Sequence, residues 1–224
     1  AASARSIRAK STSGTEFCAE IDGERPVVWS IAGSDSGAGA GLQADLQALT
    51  AFGVHGCTVI TAITAQNSQT VTRVEPVSPQ LLDAQLAALA QDMPPAAIKT
   101  GLLGSVANVR VVCAWVDRLR DAARARGHSV ALVVDPVLGA TSGAAFASAE
   151  VLQAYVDELL PRATLITPNR AEAARLLGQD AEVQAQALDD GASVQAMAHA
   201  LVQRCPQLAV VITGGDVWPT LQRE

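Results

Sequence analysis

Residues 27–45 read VVWSIAGSDSGAGAGLQAD, an apolar run that opens into a glycine-rich loop and then into an amphipathic pattern. This order predicts a strand, a loop and a helix. Glycines at positions 33, 37, 39 and 41 permit backbone angles closed to other residues and let a ligand approach the main chain. Because the loop ends where the helix begins, we expect unpaired amide groups and the positive end of the helix dipole to face an anion or a small molecule. The alternative is a loop that only makes a tight strand-to-helix turn.

Three common glycine-rich motifs do not fit this loop. A phosphate-binding P-loop requires a lysine after its last glycine, whereas Gly41 is followed by Leu42 and Gln43. A dinucleotide fingerprint requires Gly-x-Gly-x-x-Gly and an acidic residue near the end of the next strand, where residues 61–66 read TAITAQ. A nucleophile elbow requires a serine where Asp35 stands between Gly33 and Gly37. These three classes of site are therefore excluded.

Length and composition predict one globular domain. The 224 residues suffice for a full core, and 49% of them are hydrophobic. No apolar run reaches the roughly 18 residues that a membrane span needs. The net charge is −6, and no cluster of Lys and Arg is interleaved with aromatic residues. We therefore expect neither a nucleic-acid nor a membrane partner.

The cysteines and the first residues indicate the compartment and the domain boundary. Cysteines 18, 57, 113 and 205 are widely scattered, which argues against a structural zinc site or a disulfide framework and favours a reducing cytoplasm. Residues 1–15 are rich in Ser, Ala, Arg and Lys and contain no acidic residue. We expect residues 1–25 to form a flexible tail ahead of a domain over residues 26–224. The composition of the tail resembles a transit peptide, but we favour a disordered leader.

After residue 26, short β-branched runs alternate with helical patterns. We predict strands at 27–32, 57–62, 97–100, 131–135, 164–167 and 208–213, and helices at 42–52, 79–91, 105–124, 148–160, 170–177 and 193–204. Six such alternations predict an α/β fold with a mostly parallel sheet and helices on both faces. In such sheets ligands bind beyond the carboxyl ends of the strands. Polar residues follow each of the six predicted strands, as a site along that whole edge would require.

Five segments in order carry a resemblance to a known family: residues 32–45 (AGSDSGAGAGLQAD), 64–67 (TAQN), 98–103 (IKTGLL), 134–137 (VDPV) and 166–172 (ITPNRAE). Together they closely resemble the hydroxymethylpyrimidine and phosphomethylpyrimidine kinases of thiamine biosynthesis, which are ribokinase-like proteins. The resemblance covers about residues 27–216. It implies the ribokinase-like fold, a central and mostly parallel sheet flanked by helices.

The resemblance also implies a role for particular residues. The pyrimidine would be bound by residues of the first four strand ends: Gly33, Asp35, Gln66, Leu102 and Val137. The nucleotide would be bound by Asp135, Asn169, Glu172, Thr213 and Gly215, and magnesium by Asp135 and Glu172. An amide such as that of Gln66 offers both a donor and an acceptor to an aminopyrimidine, and carboxylates are hard oxygen ligands that suit magnesium. We expect ATP and magnesium as cofactors and a homodimer as the assembly.

Several of these residues have a second interpretation. Gln66 could cap a turn, and Asp135 before Pro136 could be only a strand-end turn residue. Asn169 and Glu172 have the spacing of a helix capping box, which is compatible with a magnesium role. For Lys99 we expect solvation of the sheet edge rather than a phosphate contact.

The chain also departs from the family pattern. By the resemblance, the base is a cysteine in a Gly-Thr-Gly-Cys loop, and after Asp216 the sequence continues VWPTLQRE without such a loop. No catalytic base is therefore assigned here, and we expect a C-terminally incomplete domain or weak turnover. The expected reaction is ATP-dependent phosphorylation of 4-amino-5-hydroxymethyl-2-methylpyrimidine and of its monophosphate. The alternatives are a pyridoxal-type kinase and a non-catalytic pyrimidine-binding homologue.

Overall fold

The computed structural model describes residues 25–139, 147–178 and 191–214. Most of the predicted tail, residues 1–24, and the predicted site residue Gly215 lie outside the described residues. The described strands are β1 (Val27–Asp35), β2 (His55–Gln66), β3 (Val71–Pro76), β4 (Ala97–Thr100), β5 (Ala131–Val134), β6 (Leu165–Ile166) and β7 (Ala209–Val210). The described helices are α1 (Gly41–Ala51), α2 (Pro79–Asp92), α3 (Val106–Arg124), α4 (Ala149–Ala154), α5 (Arg170–Leu176) and α6 (Gly191–Arg204).

The described strands form one sheet in the order β3-β2-β1-β4-β5-β6-β7. Every neighbouring pair is parallel except β2 and β3, which are antiparallel. The predicted α/β fold with a mostly parallel sheet is confirmed. The antiparallel edge strand β3 was not predicted, because its sequence VTRVEP has no buried residue and therefore no hydrophobic face.

The side chains of β1 point alternately to the two faces of the sheet. Trp29 and Ile31 are fully buried in the main hydrophobic cluster, which also contains Leu82 and Leu86 of α2. Ser30 points to the other face, where its hydroxyl donates to Asp45 of α1. Helices therefore cover both faces at the centre of the sheet.

Three serines explain where helices begin. The hydroxyl oxygens of Ser78, Ser105 and Ser148 accept hydrogen bonds from the backbone three residues later, at the starts of α2, α3 and α4. After α4 the chain continues through a π turn (Tyr155–Leu159) and a short 3-10 turn (Leu160–Arg162), so the predicted helix at 148–160 changes type midway. Within the described ranges, no helix combines the length and apolarity needed to cross a bilayer.

Candidate active site

The centre of the sheet contains the crevice expected of an open parallel fold. The chain leaves β1 toward β2 on one side and later adds β4 on the other, so the strand order reverses between β1 and β4. Ligands bind at such reversal points, beyond the carboxyl ends of the strands. A cleft of about 460 Å³ lies there. Its volume is within the range of small-molecule sites.

The cleft brings together all five residues predicted for the pyrimidine and one predicted for the nucleotide. Its lining includes the predicted residues Gly33, Asp35, Gln66, Leu102, Asp135 and Val137. These residues come from segments up to 104 positions apart in the chain, from 33 to 137. What they bind there stays a prediction.

Asp35 organises the glycine-rich loop from within. Its buried carboxylate accepts hydrogen bonds from the backbone amides of Gly37 at 2.7 Å, Gly39 at 3.0 Å and Ala40 at 2.9 Å. The expectation that the loop amides are unpaired and face an external anion is therefore wrong for these three. The loop carries its own anion, and these three amides close it into a turn.

Two further features fix the loop against β1. Gly41 has φ +57°, and a Cβ there would lie 2.4 Å from the carbonyl oxygen of Gly33. The side-chain amide of Gln43 accepts from the backbone amide of Asp35 at 2.9 Å and donates to the Ser34 hydroxyl at 2.8 Å. Sequence reasoning missed Gln43, although its place in the first turn of α1 puts it within reach of the loop.

The other wall of the cleft follows the end of β2. Ser36 and Gln66 are joined twice: the Ser36 hydroxyl donates to the Gln66 carbonyl at 2.7 Å and accepts from the Gln66 amide at 2.9 Å. The Thr64 hydroxyl lies 3.4 Å from Oε1 of the Gln66 side chain. Leu102 packs against Gly33, where an added Cβ would lie 3.3 Å from its side chain. Gln66 is therefore anchored by its backbone at the rim of the cleft.

Lys99 lies between two carboxylates in the cleft. Its Nζ is 3.0 and 3.1 Å from the two oxygens of Asp45 and 3.2 Å from Oδ2 of Asp135. The expectation that Lys99 merely solvates the sheet edge is wrong, because its ammonium is engaged in these ion pairs. Burial raises the pKa of the Asp135 carboxyl above its ordinary value, the Lys99 ammonium opposes this shift, and Asp45 adds to it.

The remaining predicted residues lie at the neighbouring ends of β6 and β7. Asn169 and Glu172 form a capping box at the start of α5, with both reciprocal hydrogen bonds at 2.9 Å. Thr213 pairs with Asn169 in an isolated parallel bridge. None of these three is among the residues that line the described part of the cleft. The helix-capping interpretation of Asn169 and Glu172 is confirmed, and a nucleotide role for all three residues stays a prediction.

The two predicted metal ligands, Asp135 and Glu172, offer carboxylate oxygens of the kind that magnesium prefers. Glu172 accepts from the Asn169 amide and, at 3.4 Å, from the Leu138 amide, which leaves lone pairs on both of its oxygens. Burial raises the pKa of the Glu172 carboxyl, the Asn169 amide opposes this, and Asp135 adds to it. Among the described residues there is no cluster of three or more acidic, His or Cys side chains that could enclose a metal. The carboxylate of Asp135 and the remaining lone pairs of Glu172 fit magnesium, which keeps several waters and takes one or two carboxylates from a protein.

Comparison with known proteins adds independent findings. A family model described as phosphomethylpyrimidine kinase matches residues 35–223. The chain is 43% identical over 191 residues to a hydroxymethylpyrimidine/phosphomethylpyrimidine kinase of Rhizobium meliloti (strain 1021), covering 85% of this chain and 66% of that protein. The chain therefore spans just under two thirds of the length of this relative.

Two solved structures are also similar. A phosphomethylpyrimidine kinase from Clostridium difficile 630 has a TM-score of 0.70 and 30% identity, covering 87% of this chain and 78% of that one. An ADP complex of a pyridoxal kinase from Bacillus subtilis has a TM-score of 0.69 and 30% identity, covering 86% of this chain and 66% of that one. The fold is thus shared by a phosphomethylpyrimidine kinase and a pyridoxal kinase.

Proposed function

Since the chain belongs to the phosphomethylpyrimidine kinase family, we propose that it transfers the γ-phosphoryl group of ATP to 4-amino-5-hydroxymethyl-2-methylpyrimidine and to its monophosphate, in thiamine biosynthesis. The observation that supports this most is the single cleft that gathers Gly33, Gln66, Leu102 and Asp135 at the carboxyl edge of the sheet. The ring would lie between the apolar side chains of Leu102 and Val137 and the amide of Gln66.

The geometry supports separate binding regions for the pyrimidine and for the triphosphate. The glycine-rich loop, held by the Asp35 carboxylate, forms a preformed floor for the pyrimidine. A preformed site loses little conformational entropy when it binds its ligand. The triphosphate would lie toward Asp135 and the ends of β6 and β7, where Asn169, Glu172 and Thr213 are found.

Asp135 and Glu172 would hold the magnesium ion, in part through its waters. The ion would neutralise charge on the transferring phosphoryl group. Phosphoryl transfer depends mainly on positioning and on electrostatic stabilisation. Asp135, ion-paired with Lys99, is placed on the cleft itself and would position the phosphate end of the nucleotide.

Pyridoxal is the rival substrate, because a pyridoxal kinase shares the fold at a similar TM-score. Turnover of the two alcohols with ATP, measured on the protein as its gene encodes it, separates the two functions. We expect the aminopyrimidine to have the higher kcat/KM. A preference for pyridoxal would overturn the assignment, and pyrimidine binding without any turnover would favour a non-catalytic binding protein.

Gln66 offers a second test that needs no turnover. Replacing Gln66 by Leu keeps the size of the side chain but removes its donor and acceptor. We expect pyrimidine affinity, measured by calorimetry, to fall about tenfold, which corresponds to about 1.4 kcal/mol and one net hydrogen bond. The matched control is Gln91→Leu at an exposed position of α2, which should leave the affinity unchanged. Equal affinities for the two variants would remove Gln66 from the site.

The proposal also includes a cytoplasmic compartment and a homodimeric assembly. The cysteines of the described residues, at positions 57, 113 and 205, are free and buried, which supports a reducing compartment such as the cytoplasm. The exposed Phe52 and Ile63 side chains support a homodimer, and the solution mass from light scattering would test it.

A further inference from the structure

Lys99 is the cation that connects two parts of the cleft. Its ammonium pairs with Asp45 on α1, the helix that begins at the glycine-rich loop, and with Asp135 at the end of β5. The side chains of Lys99, Asp45 and Asp135 are 27%, 19% and 34% exposed. These ion pairs are therefore partly shielded from water and are screened less than pairs on the open surface.

The ion pair between Lys99 and Asp45 is anchored in the sheet beneath it. The Ser30 hydroxyl donates to Oδ2 of Asp45 at 2.5 Å, and Ser30 itself is fully buried on β1. Ser30 and Lys99 are register partners on neighbouring parallel strands. Asp45 is thus held from two adjacent strands, and Lys99 is the only one of its two anchors that also contacts Asp135.

Gly101 leaves space beside the Lys99 ammonium. A Cβ on Gly101 would lie 3.5 Å from the Lys99 ammonium and 3.0 Å from the Ala32 side chain, so the glycine keeps this space open. Both carboxylates lie within 3.2 Å of one nitrogen. Without the cation, two like charges would face each other across the gap.

We propose that Lys99 is a positioning residue for phosphoryl transfer: it holds the Asp135 carboxylate in a fixed place relative to α1 and the glycine-rich loop, and acts through Asp135 instead of on a phosphate. The inference rests on the proposed kinase function. The pairing itself argues against a phosphate contact, because an ammonium shared by two carboxylates belongs to a cluster with net charge −1. Such a cluster does not attract a second anion.

The test compares Lys99→Met, Lys99→Arg and Asp45→Asn in steady-state assays of both phosphorylation steps, using the protein as its gene encodes it. Lys99→Met should lower kcat about 10- to 100-fold in both steps, because misplacement of about 1 Å costs roughly that much. The KM for each pyrimidine should change less than about threefold, since uniform binding is not affected. Lys99→Arg should restore most of kcat, and Asp45→Asn should show a smaller loss of the same kind.

Several outcomes would overturn the inference. An unchanged kcat in Lys99→Met would do so, and so would a rise in KM confined to the monophosphate substrate, which would indicate a phosphate contact instead. Failure of Lys99→Arg to recover activity would also count against a positioning role. Arg126→Met, in the turn after α3, is the matched loss of one exposed cation and should behave as the parent protein.

Folding and the proposed function are controlled separately. Calorimetry with the unphosphorylated pyrimidine alone should give the same affinity for Lys99→Met and the parent, which shows that the variant is folded and that its pyrimidine site is intact. If Lys99→Met does not fold, the charge-balanced Lys99→Met/Asp45→Asn variant replaces it, with the same expected loss of kcat. If the parent protein does not phosphorylate the pyrimidine, the proposed function fails, whereas an active parent with an equally active Lys99→Met refutes only the role of Lys99.

Discussion

Gly41 offers a direct measure of how tightly the glycine-rich loop is held against β1. Gly41 and Gly127 both have positive φ, +57° and +75°. A Cβ on Gly127 would meet nothing within 4 Å, whereas one on Gly41 would lie 2.4 Å from the backbone oxygen of Gly33. Alanine should therefore cause the same kind of backbone strain at both positions, but only at position 41 should its Cβ clash with the Gly33 carbonyl oxygen.

The magnitude follows from those contacts. Left-handed backbone costs an L-residue about 1–2 kcal/mol, and the smaller unfolded-state entropy of alanine offsets about 0.4–1 kcal/mol of that. Gly127→Ala should thus destabilise the fold by about 1 kcal/mol. In Gly41→Ala the Gly33 carbonyl belongs to β1, which pairs with β2 at this position, so we expect the loop to shift and to lose hydrogen bonds to the Asp35 carboxylate. These bonds contribute about 1.5–3 kcal/mol each, and the lower value applies where water replaces them. We therefore expect Gly41→Ala to lower the free energy of unfolding by a total of about 3–4 kcal/mol.

Urea unfolding followed by far-UV circular dichroism measures both variants, with equal m-values required for the comparison. A loss of about 3 kcal/mol is a large part of the 5–15 kcal/mol that stabilises a typical domain. Pyrimidine binding should weaken in Gly41→Ala and stay unchanged in Gly127→Ala. If the two variants unfold within about 0.5 kcal/mol of each other, the close approach of Gly41 to Gly33 does not constrain the loop and the reasoning is refuted.

Three further predictions concern the loop and the core. Ala38 has φ +57°, so Ala38→Gly should relieve strain and stabilise the protein by about 0.5–1 kcal/mol in urea unfolding, and a loss of stability would contradict the strain. Asp35→Ala removes the acceptor of three loop amides and should lower the free energy of unfolding by about 3 kcal/mol. The control, Asp121→Ala on the exposed side of α3, should lower it by less than about 0.5 kcal/mol. Similar losses in the two variants would show that the Asp35 carboxylate does not hold the loop. Burial raises the pKa of the Cys113 thiol from 9.0 to about 11. At pH 8 this thiol should therefore carry roughly a hundredfold less thiolate than an ordinary thiol. Mass spectrometry after thiol labelling should find Cys113 unmodified until urea unfolds the protein.

The parts of the fold that were predictable are those with a strong local pattern. The apolar runs of β1 and β4 and the periodic patterns of α2 and α3 identified these elements within a few residues, because burial on both sheet faces or on one helix face leaves a clear sequence pattern. β6 and β7 are only two residues long, shorter than predicted, since pairing stops before the polar strand ends. β2 extends to Gln66 because the unpredicted β3 pairs with its last residues.

The candidate site was predictable where its residues belong to continuous motifs, and not where contacts join distant segments. The Asp35 turn could have been foreseen, because an aspartate commonly bonds the backbone amide two residues on. The Lys99 pairs could not, since Asp45 and Asp135 are 54 and 36 residues away in the chain. The register of β1, β4 and β5, together with the packing of α1 on β1, brings these three side chains together.

The central place of β1 has a consequence for how the molecule is made. While the ribosome has delivered only β1, β2 and β3, one flank of β1 has no partner, because β4 begins at Ala97. At a typical elongation rate of about 5–20 residues per second, the roughly 20 residues between β3 and β4 take on the order of 1–4 s to synthesise. During those seconds the nascent chain presents an unpaired apolar strand edge, the kind of surface that templates aggregation and recruits chaperones. Slow codons between Pro76 and Ala97 would prolong this exposure and should lower the soluble yield of the protein.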